Sequence, residues 1–130
     1  MPFELMCLSD LAGNRKMDKI EIERIVSSFQ KLAVEWGKSL EEGDSTRTNR
    51  LHCKLMAIEK QLIESDSLSR LEGFFQDPSE SVRLSTCSAL KETNRKTAIK
   101  VLRKLAESNS IIGVCAKTQL RIMGEKVKFI

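Results

Sequence analysis

Between Asp18 and Leu40 the apolar residues Ile22, Ile25, Val26, Phe29, Leu32, Ala33, Trp36 and Leu40 return every three or four positions. At 3.6 residues per turn that spacing lays them along one wide stripe, so this stretch has to be a helix that buries one side. Asp18 with Glu21 three residues later forms a capping box at its start. Gly43 can close the helix, and Asp44 or Ser45 can cap the next one, whose stripe is Leu51, Leu55, Ile58 and Leu62 with Glu59, Lys60 and Gln61 facing away. The short break between them makes the two helices antiparallel neighbours. A helix end followed by a cap also accounts for the acidic trio Glu41, Glu42 and Asp44.

From Ser67 onward the helices shorten. Leu68, Leu71, Phe74 and Phe75 share one side of a short helix that must stop before Pro78, because a residue preceding proline is driven out of helical conformation. Asp77 and Pro78 then make a corner, and Ser79 caps a helix running to about Lys91, with Val82, Leu84, Cys87, Ala89 and Leu90 as its small and apolar face. A helix from Lys96 to Glu107 turns Ala98, Ile99, Leu102, Leu105 and Ala106 inward, and Ile111 to Met123 forms the last helix before Gly124. No stretch alternates with the period of a strand, so the chain is predicted to be all α with five or six helices. Its 130 residues, 41% of them hydrophobic, suffice for one ordinary core. The expected organisation is a single domain over residues 1-130, with a helical hairpin at 18-64 and further hairpins at 67-123.

Cys7, Cys53, Cys87 and Cys115 are widely spaced with no CxxC pair, and His52 is the sole histidine, so neither a metal site nor a disulfide framework is expected. A reducing cytoplasm fits this usage best. The opening "MPFELMCLSDLAG" is interrupted by Glu4 and Asp10 and has no basic region before it, which makes it a poor signal peptide. No run approaches the length of a membrane span. The formal charge of +4 is unevenly placed: residues 1-65 hold ten Lys/Arg against eleven Asp/Glu, and residues 66-130 hold twelve against seven. The basic second half suits an acidic protein surface or a phosphate backbone.

Aligning Val82 with Ile112 at an offset of thirty residues also pairs Leu84 with Val114 and Leu90 with Leu120. An Asp-Pro turn, a helix, a polar break and a second helix make a hairpin that cannot bury its apolar face unless a neighbour stacks on it. Here "DPSESVRLSTCSAL" followed by "AIKVLRKLAE" resembles HEAT-type repeats, in which an Asp-Pro loop leads into Val-Arg and an alanine-rich helix. More narrowly, "EEGD", Asn49-Arg50, "DPSESVR" and "AIKVLRKLAE" occur in the order seen in a family of short bacterial HEAT-like proteins catalogued as a domain of unknown function, number two thousand and nineteen. The resemblance covers about residues 20 to 123, and departs from the pattern at Ser85 and Thr86, where a bulky residue or alanine is usual. It implies architectural roles for Asp77 and Pro78, and for Arg83 as a residue reaching a neighbouring loop carboxylate. It also implies a place beside bacterial polymorphic toxins, including contact-dependent inhibition systems, where such proteins serve as immunity proteins.

Catalytic groups are sparse. His52 and Cys53 are adjacent on a helix and point about a hundred degrees apart, a poor arrangement for a nucleophile and its base, and there is no Gly-rich phosphate loop. No cofactor and no catalytic role are expected. Trp36 belongs to the core stripe, although Gly37 beside it would suit a half-exposed interface anchor near a helix end. Lys96, Lys100, Arg103 and Lys104 share one face of their helix. Second helices of solenoid hairpins commonly line the concave side, so these cations, joined by Arg121, are the expected partner-binding set, with Arg47 and Asn49 as weaker candidates. The expected function is binding a protein partner, an immunity protein's cognate toxin domain first among them. The alternatives are a nucleic-acid-binding HEAT module, for which five Phe, one Trp and no Tyr offer few stacking partners, and a scaffold.

Overall fold

The computed structural model describes residues 18–127; Cys7 and the weakly apolar opening stretch lie outside them. The elements are α1 (Lys19–Glu42), α2 (Ser45–Glu64), a 3-10 helix (Leu68–Gln76), α3 (Glu80–Leu90), α4 (Arg95–Leu105) and α5 (Ile111–Ile122). There is no strand among the described residues, and the chain is an all-α, helical-repeat-like fold.

Caps set most of the boundaries. Asp18 accepts a hydrogen bond from the Glu21 N–H at 2.8 Å, and Asp44 accepts one from Arg47 at 3.0 Å. Gly43 ends α1 in the left-handed region, φ 72°, where a side chain would be strained. Gly37 does not end the helix. It is buried in the last third of α1, where a Cβ would lie 2.5 Å from the Ser81 Cβ, so glycine is what lets α3 approach α1 so closely.

The segment around Leu71 differs from the α-helix its spacing suggests, being a nine-residue 3-10 helix, longer than such helices usually run. Leu71 and Phe75 are buried, and the Phe74 ring stacks on Phe29 with centroids 6.3 Å apart. Tertiary packing on α1 and α3 holds this tighter form.

α1 packs on α2 and on α3; α3 in turn carries the 3-10 helix, α4 and α5. One core runs through all of them, built on Phe29, Ala33, Leu62, Leu71, Val82, Cys87, Leu90, Ala98, Leu102 and Leu120. The Asp-Pro corner is tied in at three points. Asp77 accepts hydrogen bonds from the Ser79 N–H at 2.9 Å and from Gln30 Nε2 at 2.6 Å, and Arg83 donates to the Asp77 carbonyl at 2.6 Å. Arg83 therefore reaches a backbone oxygen of its own loop, where a neighbouring carboxylate was expected. Thr86 fits the buried interior because its hydroxyl donates to the Val82 carbonyl at 2.7 Å.

Candidate functional site

α4 presents Lys96, Lys100, Arg103 and Lys104 as exposed side chains, opposite the buried Ala98, Leu102 and Leu105. The four cations do not act alike. Arg103 donates to Glu125 at 2.8 Å and to the Lys126 carbonyl at 3.3 Å, while Arg95 donates to the Met123 carbonyl at 2.6 Å and lies 3.5 Å from Glu125. Glu125 thus sits between two arginines and fastens residues 123–126 along α4. These partners are separated by 22 and 30 residues, so no local pattern announces them. Arg103 is a clasp residue, and Lys96, Lys100 and Lys104 remain as the open row. Replacing Glu125 with Gln is expected to change stability by less than about 1 kcal/mol, because both ion pairs are half-exposed, and urea unfolding would measure it.

Arg121 stands on a different helix, α5, and is exposed. Of the weaker candidates, Arg47 is occupied by Glu35 and by Glu42, the latter at 3.4 Å, and Asn49 lines a small groove with Ser39, Leu40, Gly43 and Ile111.

α5 carries a feature that the sequence comparison of the two repeats did not expose. At the thirty-residue offset, Val82 and Ile112 are both buried, as are Leu90 and Leu120. Leu84, however, is 5% exposed, whereas its counterpart Val114 is 53% exposed. Ser81 is likewise buried against Gly37, whereas its counterpart Ile111 is 43% exposed. On α3 this side is covered by the first hairpin, which meets α5 at Ile111, Cys115 and Gln119 and, among the described residues, leaves Val114 open. Ile122 extends the same uncovered face at 71% exposure, with Thr118 between and Arg121 beside it. Apolar side chains gathered on one face of a helix mark a docking surface more often than scattered single ones do.

A second feature is a cleft of about 160 Å³ lined by Trp36 of α1, His52, Leu55 and Glu59 of α2, Leu84, Ser85 and Ser88 of α3, and Cys115 and Gln119 of α5. No residue of α4 lines it, so the cationic face and this concavity belong to different sides of the fold. Trp36 is half-buried, packing on the core while forming a wall of the cleft. Glu59, expected to face away, is half-buried on the wall of this cleft, which it lines together with Leu84, Ser85 and Ser88 of α3. Burial pushes its carboxyl from 4.5 to about 7, opposed by the charge of Lys91. Burial also raises the Cys115 thiol, and Cys87 is pushed up to about 12 against the pull of Arg83, so both are poor thiolates. Cys53 is exposed. Among the described residues no group of three His, Cys, Asp or Glu is placed to hold a metal, and no helix is long and apolar enough to cross a membrane.

No family model matches the chain, and no curated protein matches it. Among solved structures, the crystal structure of the protein RPA1889 from Rhodopseudomonas palustris CGA009 is similar, with a TM-score of 0.74 and 23% identity over 87% of this chain and 100% of that one. At that identity the likeness concerns the fold.

Proposed function

We propose that this protein is a non-catalytic binding module whose protein partner docks on the uncovered face of α5. The observation that carries this is the contrast between Val114 and Leu84, equivalent positions of which one is buried by a neighbouring hairpin and the other is left to solvent. A repeat hairpin is stabilised by what stacks on it, and the exposed Ile111, Val114 and Ile122 offer a partner the same kind of contact that α3 receives from within the chain. Arg121, with the open row Lys96, Lys100 and Lys104, would supply long-range attraction for an acidic partner and raise the association rate more than the affinity. The specific form of this reading is immunity, in which the partner is a toxin domain that stoichiometric binding inactivates. It is supported by the resemblance carried by "DPSESVR" and "AIKVLRKLAE".

The test is capture of the tagged protein from its source cells, with nuclease treatment and a high-salt wash. One polypeptide retained in stoichiometric amount by the wild type, and retained poorly by Val114→Asp, is the expected result. A charge placed in the centre of an apolar interface should weaken binding by about tenfold or more. Nucleic acid recovered before nuclease, with nothing retained afterwards, would replace this function with phosphate-backbone binding by the α4 lysines, since such binding is the one that salt dissolves.

A further inference from the structure

We propose that the outer face of α2 is a docking surface for residues 2–12 of this same chain, which lie along it as an amphipathic helix. α2 packs chiefly on α1, and the side opposite Leu51, Leu55, Ile58 and Leu62 is left exposed at Cys53, Met56, Lys60 and Ile63. These four recur at three- and four-residue spacing, so they form one row along the helix. Met56 is 50% and Ile63 59% exposed, and Ile20 in the first turn of α1 is 71% exposed. The hydroxyl contact between Ser39 and Thr48, 2.7 Å across the Gly43–Asp44 turn, sets α1 and α2 antiparallel. The start of α1 therefore lies at the Ile63 end of the row.

The chain before Asp18 has the pattern and the length to fill that row. Pro2 is placed as the first residue of a helix and Gly13 as the residue that ends one, and between them Leu5, Leu8 and Ala12 recur at the same three- and four-residue spacing, with Leu11 beside them. A helix over 2–12 is about 16 Å long, against about 15 Å from Cys53 to Ile63. The connection from Gly13 to Met17 reaches at most about 17 Å, a usual length for a turn between packed helices. Because that connection ends at the start of α1, the segment runs parallel to α2, with Leu5 beside Met56 and Ala12 beside Ile63. The charges match as well. Glu4 and Asp10 are the only ionic residues in 2–12, and Lys54 and Lys60 flank Met56. A second copy of the α2 face would instead set lysine against lysine.

Hydrogen exchange of the full chain tests this. The amides of Leu5 to Leu11 are expected to exchange at least about tenfold more slowly than an unstructured peptide of the same sequence, at a rate independent of protein concentration. Met56→Asp combined with Ile63→Asp puts two charges into the contact and should bring those amides to within about threefold of the unstructured rate. The amides of α3 should keep their protection, because both substituted side chains lie outside the core. Unprotected Leu5 to Leu11 amides in the wild type, or protection that survives the double substitution, would overturn the proposal. Protection that grows with protein concentration would overturn it too, by giving the α2 face to a second copy. The inference does not depend on docking at α5, and either can fail while the other stands.

Discussion

Gly113→Ala is expected to destabilise the fold by about 2–3 kcal/mol, although alanine is the better helix former by about 1 kcal/mol. Gly113 is buried in the first turn of α5, where its N–H donates to the capping Ser110 hydroxyl at 3.4 Å. A Cβ there would fall 2.1 Å from the Ser108 carbonyl oxygen and 3.3 Å from that of Leu105. Both obstacles are backbone atoms of the α4–α5 turn, so no side chain can rotate away to make room. The turn itself is fixed by the Ser108–Ser110 hydroxyl contact at 2.8 Å and by the bond from Ser110 to Glu80 of α3 at 3.3 Å. Relief therefore requires α5 to shift as a body, disturbing Ile112 and Ala116 in the core. Urea unfolding of the variant should show a lower midpoint with a similar slope. A midpoint above that of wild type would mean helix propensity outweighs the close approach.

Glu59→Gln is expected to stabilise the protein at pH 8 and to have little effect at pH 4. The folded state holds the Glu59 proton up to about pH 7, whereas the unfolded chain releases it near 4.5. Below the lower value both states are protonated and the glutamate costs nothing extra. Between the two values the unfolded state alone ionises, so wild-type stability falls as pH rises, and above about 7 the full penalty is present. A shift of that size corresponds to at most about 3 kcal/mol, and partial contact with water reduces the expected gain to about 1–2 kcal/mol. Glutamine cannot ionise and escapes the penalty, so the stability difference between the two proteins should grow from pH 4 to pH 8. A difference that stays flat across that range would place the Glu59 carboxyl in water.

The helices were legible because each carries its own stripe and punctuation. Leu51, Leu55, Ile58 and Leu62 are all buried as their spacing requires, and Asp18, Asp44 and Ser79 all cap helices. Features arising where distant segments meet were not legible. Ser81 explains why Gly37 is glycine, and the two residues lie on helices separated by the whole of α2. Glu59 reads as an outward residue from its own helix, because the residues of α1, α3 and α5 that share its cleft lie far from it in sequence. The cations of α4 were visible as a face, yet the diversion of Arg103 to Glu125 depends on the chain folding back after α5. The exposure of Val114 was hidden for the opposite reason: an apolar residue in a helical stripe reads as core, and its own helix does not say that no described neighbour packs on it.

The decisive measurement is the equilibrium affinity of the captured polypeptide for three forms of this protein at two salt concentrations: wild type, Val114→Asp, and Lys96→Glu with Lys100→Glu and Lys104→Glu combined. Docking on α5 predicts that Val114→Asp loses about tenfold or more in affinity at both concentrations, whereas the triple reversal slows association and matters less as salt rises. Wild-type affinity in Val114→Asp, with binding abolished in the triple reversal, would contradict the account and move the interface to α4.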